Sequence, residues 1–164
     1  NVVATSIGDS IERNMVDTKQ PYLIPERAED FLGWRETVLS GEINDGNAFH
    51  IFGGESGHAG LFSTLNDMTK YLSGLLGGFV TESTLHKFSQ PRSNPLQAIG
   101  FRRFEMANGD FAIGHFGFTG TGFAINSEIK KGWVYLSNRL HTKSPYKTMN
   151  EIWCSEFKEF SFRG

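Results

Sequence analysis

Between Ala98 and Asn138 the apolar residues recur at about every second position, and short polar turns interrupt them. This stretch constrains the fold more than any other feature of the chain. Alternation at a period of two buries one face of a strand, and strands joined by tight turns pair antiparallel. Ile99, Phe101, Phe104 and Met106 give an imperfect first strand. Asn108-Gly109 follows, the pair favoured in a type I′ hairpin turn because both central residues there need positive φ. Phe111 to Phe118 reads as the return strand, Thr121 to Asn126 as the next and Gly132 to Asn138 as the last, across a polar turn at Ser127 to Lys131. The expectation is an antiparallel meander of three to four strands.

Helices flank it. Ser63-Thr64 precedes Leu65, Met68, Tyr71, Leu72, Leu75 and Leu76, which fall at helical spacings of three and four. Asp67 stands three after Thr64, where an acid suits the helix N-terminus, and Gly77-Gly78 ends the helix. A second short helix is predicted over Thr81 to Phe88, ahead of Pro91. Ser144-Pro145 reads as the N-cap and first position of a last helix, with Met149, Ile152, Trp153, Phe157 and Phe160 as its apolar stripe. Residues 1 to 50 read as irregular, apart from a short helix predicted within Glu26 to Leu39. Helices, then an antiparallel sheet, then a helix packed on it make an α+β chain. The whole of 1–164 reads as a single domain or fragment.

Composition narrows the function. Sixteen basic against 18 acidic residues leave a net charge of -2, so nucleic acid is not an expected partner. Cys154 is the one cysteine, which excludes an internal disulfide and a multi-cysteine zinc site. It has no histidine near it in sequence and reads as a buried small hydrophobe. The five histidines include no pair at i, i+3 or i, i+4, so neither a metal site nor a cofactor is expected. The glycine-dense loop Gly53 to Gly60 precedes a helix, but no Lys-Ser/Thr pair follows it; it reads as a tight loop, not a phosphate cradle. No apolar run approaches the roughly 20 residues that a spanning helix needs.

Gly114, Gly117 and Gly120 punctuate the run Gly114-His115-Phe116-Gly117-Phe118-Thr119-Gly120-Thr121. Glycine weakens a strand interior, so three of them mark a close approach to the backbone. Either the strand is bulged beneath a helix, or its open edge receives a substrate. At this point the chain resembles a known family. Ser56-Gly57-His58-Ala59-Gly60-Leu61-Phe62-Ser63-Thr64 with Asp67 is similar to a stretch of the serine hydrolases of the β-lactamase (class C) and penicillin-binding-protein family. Gly114 to Thr121 resembles that family's third motif, Lys/His-Thr/Ser-Gly. Gly41 to Phe49 resembles the segment before the glycine loop. Ala124-Ile125-Asn126 and Leu136-Ser137-Asn138-Arg139 resemble the two later strands. The likeness runs in order over most of residues 35 to 141.

The resemblance implies acyl transfer by a serine nucleophile in a Ser-x-x-Lys motif, aided by Tyr-x-Asn or Ser-x-Asn. By that likeness His115 takes the position of the third motif's basic residue, and the Phe118 backbone N–H is one oxyanion donor. Phe116, Gly117 and Thr119 line the substrate's path. Two departures stand out. Phe116 replaces the motif's hydroxyl residue, and no Tyr-x-Asn or Ser-x-Asn occurs. Ser-x-x-Lys occurs at Ser127 to Lys130, in a predicted turn, and at Ser144 to Lys147, where Ser144 is assigned to a cap; neither reads as the nucleophile. The chain opens Asn1-Val2-Val3-Ala4 and reads as the C-terminal portion of a longer enzyme, inactive alone. The parent is expected outside the cytoplasm, membrane- or wall-associated, acting on cell-wall peptide, β-lactam or ester. Expected partners are the missing N-terminal portion and a second copy at an open sheet edge. The alternative is a non-catalytic module that binds wall peptide or a protein.

Overall fold

The computed structural model describes residues 2–21, 23–141 and 146–157, of which residue 157 by its backbone alone. They divide into two compact units, one built from the chain up to residue 62 with 138–141, the other from 63–137 with 146–157.

In the first unit, residues 5–9 run antiparallel beside 35–39. Thr5 N–H donates to the Leu39 carbonyl at 2.9 Å, Gly8 to Thr37 at 2.8 Å and Asp9 to Arg35 at 2.9 Å. Gly8 has φ +50°, and a Cβ there would lie 1.7 Å from the Arg35 carbonyl oxygen, so only glycine fits. Helix α1 (Ser10–Thr18) follows, then a 3-10 turn (Ala28–Asp30) and helix α2 (Gly46–His50). The unit's centre is ionic. The buried Asp9 carboxylate accepts from the Arg35 backbone N–H at 2.8 Å, Arg35 Nε at 2.8 Å and Nη2 at 2.6 Å, and contacts His50 Nε2 at 2.9 Å. Arg35 also donates to the carbonyls of Ile43 (2.7 Å) and Asn44 (2.9 Å) and lies over the Phe49 ring. A buried charge is tolerated when it is paired and hydrogen-bonded, and this one is saturated. Burial alone would push the Asp9 carboxyl up; the Arg35 and His50 hydrogen bonds outweigh it and hold it below its ordinary value.

This corrects the expectation of an irregular stretch with a helix in 26–39. Helix α1 forms on a thin stripe of half-buried Ile11, Met15 and Val16. Residues around Trp34 stay extended because the Arg35 backbone is committed to Asp9.

In the second unit, α3 (Leu65–Leu76) begins at Thr64, whose hydroxyl accepts from Asp67 N–H at 3.1 Å. Thr81 caps α4 (Glu82–Ser89) in the same way. Four strands follow: β1 (Arg102–Glu105), β2 (Phe111–Gly117), β3 (Thr121–Asn126) and β4 (Lys131–Tyr135). They form one antiparallel sheet in chain order. The fold is α+β, as the alternation predicts. Alternate residues of the strands feed two cores. Ile113 and Ile125 pack with Leu72, Leu75 and Leu85 of the helices before the sheet. Phe104, Ala112 and Ala124 pack with Met106, Ile152 and Trp153. Burying each large side chain contributes about 1.5–3 kcal/mol.

Three local expectations are corrected. The first hairpin is not a two-residue type I′ turn. Gly109 N–H donates to the Met106 carbonyl and Met106 N–H to that of Asp110, which closes a three-residue loop with Gly109 at φ +85°. The Asn108 side chain bonds both Asp110 N–H and its carboxylate, so Asn108 works as a turn brace rather than as a positive-φ residue. The last helix does not extend through residues 146–148: α5 (Met149–Ile152) is capped by Thr148, with Glu151 reaching back to the Thr148 N–H in a capping box. Ser144-Pro145 and Phe160 lie outside the described residues. A π-helical turn (Trp153–Phe157) continues α5 and keeps Ile152 and Trp153 inward. Cys154 consequently faces solvent, contrary to its expected burial.

Candidate active site

The third-motif segment stands at the end of β2. The β1 ladder reaches only Arg102↔Gly114, so His115, Phe116 and Gly117 extend beyond β1 while still paired with β3. The β2–β3 connection is tight. Gly117 pairs with Thr121, Gly120 N–H donates to the Gly117 carbonyl at 3.1 Å, and Gly120 takes φ +102°. Ser137 braces it, donating from its hydroxyl (2.7 Å) and its N–H (3.1 Å) to the Gly120 carbonyl.

Each expected site residue has a definite place. His115 is exposed, with Nδ1 2.9 Å from the Phe116 carbonyl. A carbonyl only accepts, so in the neutral ring Nδ1 carries the proton and Nε2 presents a lone pair. Gly117 is half-buried, and a Cβ on it would meet Thr121 Oγ1 at 2.4 Å. Phe118 is not the last strand residue but the first of the turn, and it is 46% exposed; Thr119 follows, half-buried. Phe116 sits on the opposite face from His115. Its ring lies 4.6 Å from Phe104 and 6.1 Å from Trp153, within the aromatic cluster. The glycines have a structural cause as well: a Cβ on Gly114 would lie 1.9 Å from the Phe123 carbonyl oxygen.

Of the two Ser-x-x-Lys matches, the one at Ser127 to Lys130 lies within the described residues, in the β3–β4 turn. Lys130 ends the β3–β4 turn at φ 51° and pairs with Glu82 at 3.6 Å. Ser144 lies outside the described residues. Among the described residues, no group of three His, Cys, Asp or Glu side chains gathers for a metal, and no helix is long and apolar enough to cross a membrane.

The β-lactamase family model matches residues 4–152, most of the chain and all of the geometry just described. The chain belongs to the β-lactamase family. Within it, this β-lactamase-family chain is 34% identical over 125 residues to an N-acetylmuramyl-L-alanine amidase of Bacillus subtilis, a match covering 66% of the chain and 28% of that relative. It is 31% identical over 127 residues to proteins named putative D-alanyl-D-alanine carboxypeptidase in Salmonella paratyphi B and Salmonella newport, covering 66% of the chain and 29% of each relative. The match thus spans less than a third of these relatives' length. No solved structure matches. The β-lactamase family thus holds this chain beside relatives named as an amidase and as putative carboxypeptidases.

One feature of the glycine loop was invisible in the sequence. His58 lies between Ser56 and Asp45, in hydrogen-bond reach of both. The spacing from residue 45 to residue 58 carries no periodic signal, and side-chain direction in a loop is set by backbone turns at Gly53, Gly54 and Gly60.

Proposed function

We propose that this chain is the C-terminal part of a bacterial serine hydrolase that transfers acyl groups from a β-lactam, a D-Ala-D-Ala peptide or an ester, its nucleophile lying in a preceding portion. The observation that carries this reading is the end of β2: the exposed His115 extends past β1, two residues from Gly117. A strand segment beyond its neighbour is where an extended substrate adds as a further strand. His115 then bonds the substrate or the proton relay, Gly117 and Thr119 lie along the substrate, and the Phe118 N–H is one of two oxyanion donors. The relatives' names support a cell-wall peptide as substrate and a place outside the cytoplasm. The missing N-terminal portion would complete the sheet, and a second copy could pair there in its absence.

The test uses the full-length parent. Its upstream sequence is expected to hold Ser-x-x-Lys and Tyr-x-Asn or Ser-x-Asn. A fluorescent penicillin should label that serine, and His115→Ala should slow labelling about a hundredfold, the low end of general acid–base catalysis. Because His115 is exposed, the variant should keep its stability. Labelling at the parent's rate would remove His115 from the site. The 164-residue chain alone is expected to form no penicillin adduct by intact mass. A second reading, a non-catalytic binding module, is favoured by Phe116: its ring packs with Phe104 where the family has a hydroxyl. An upstream sequence lacking Ser-x-x-Lys would establish that reading.

A further inference from the structure

Two side chains of the loop from Gly53 to Gly60 and the N-cap of α2 form a hydrogen-bonded chain. Ser56 Oγ lies 2.5 Å from His58 Nδ1, and His58 Nε2 lies 3.0 Å from Asp45 Oδ1. Asp45 is fixed first: it is the N-cap of α2, and its Oδ1 accepts from Ala48 N–H at 2.8 Å. The Phe52 ring meets the imidazole edge-on at 6.1 Å. Only one neutral tautomer satisfies both contacts as a proton relay: Nε2–H donates to the carboxylate, and Nδ1 accepts from the serine hydroxyl. A nucleophile, a base and a group that orients the base are thereby in sequence, with the ring nitrogens used in the opposite sense to the common triad. The loop around them is uncrowded, since a Cβ at Gly53, Gly54 or Gly57 would meet nothing within 4 Å.

We propose that Ser56, His58 and Asp45 form a second acyl-transfer relay that hydrolyses small activated esters, independent of the strand-edge site. Ser56 Oγ attacks the ester carbonyl carbon and its proton passes to His58 Nδ1. The bond to the leaving phenol or alcohol breaks, and that oxygen takes the proton from His58. Water then attacks the acyl-serine with His58 again as base, releasing the acid and restoring the hydroxyl. His58 is 48% exposed and Asp45 37%, so bulk water solvates much of the developing oxyanion. That restricts the substrates to acyl donors with good leaving groups.

The test is the purified chain, in a Cys154→Ser background to remove the exposed thiol, incubated with 4-nitrophenyl acetate and followed by phenolate release and peptide mapping. An acetyl adduct on Ser56 is expected. Ser56→Ala should abolish it. His58→Gln should slow its formation about a hundredfold at unchanged circular dichroism. Asp45→Asn retains a competent helix cap and should slow it less, about tenfold. No adduct, an adduct on another residue, or an adduct on Ser56 whose rate ignores His58→Gln would each overturn the relay. A penicillin adduct on the chain bears on the strand-edge proposal, so the two failures are separable.

Discussion

Phe116 stands where the family's third motif carries a hydroxyl, and its ring lies 4.6 Å from Phe104 across the β1–β2 pair. Gly122 is its cross-strand partner, and a Cβ on Gly122 would meet the Phe116 ring at 2.6 Å, so the ring occupies the space that the glycine leaves. Replacing Phe116 by Thr therefore removes packing in addition to supplying a hydroxyl. Full truncation of a buried Phe costs about 3–5 kcal/mol; for this half-buried ring about 2 kcal/mol is expected. Urea unfolding should show a lower midpoint at an unchanged slope. An unchanged midpoint would mean that the ring contributes nothing to the cluster. His115, one residue earlier and exposed on the other face, should tolerate Ala with little loss of stability.

Among the described α-helices, α5 is the shortest and depends most on its ends. Thr148 Oγ1 accepts from Glu151 N–H at 3.1 Å, and the Glu151 carboxylate accepts from Thr148 N–H at 2.6 Å. That backbone hydrogen bond, with the Thr148 side chain, holds the exposed Glu151 carboxyl below its ordinary value. Thr148→Ala is expected to cost about 1 kcal/mol and to raise amide exchange at Ile152 and Trp153 before the sheet is affected. Equal exchange in both proteins would show that α5 is held by the packing of Ile152 and Trp153 instead of by its cap. The sheet was legible because a period of two leaves no other arrangement for residues 98–138. Thr64 was legible because it precedes a long apolar stripe with Asp67 three residues on. Thr148 was not, because Ser144-Pro145 offers a cap signal of the same kind four residues earlier and propensity cannot rank the two. For the candidate site, the glycine spacing could be read directly, whereas His115 rests on the resemblance to the family's third motif. The end of the β1 ladder at Gly114 could not, since it depends on the length of the loop before Arg102. The contacts of His58 and Asp9 depend on side-chain direction, which no periodicity encodes.

At the scale of the molecule, the first unit differs from the second in being organised around charge, and its stability should follow pH accordingly. Asp9 has a folded-state value below the ordinary 3.8, because the Arg35 and His50 bonds outweigh burial. A depressed carboxyl contributes stability that is fully present above its unfolded value and lost as pH falls through the folded one. Glu12, in the first turn of α1, behaves oppositely: burial, with Asp9 and Asp45 adding to it, raises its carboxyl above 4.5. Between its unfolded and folded values the native state binds more protons, so stability rises as pH falls through the folded value toward 4.5. The two effects together predict a maximum in mild acid, with loss below 3.8. Amide exchange at Gly8 and Leu39, which belong to the 5–9 against 35–39 pairing, reports this unit without the sheet. Protection there should increase from neutral pH to mild acid and collapse below pH 3.8, after correction for intrinsic exchange rates. Glu12→Gln should flatten the rise and keep the collapse. Asp9→Asn should lower protection at neutral pH, because Arg35 is left as a charge 9% exposed in its side chain without its carboxylate. If Glu12→Gln retains the full rise, burial of the Glu12 carboxyl is not the source of the acidic maximum.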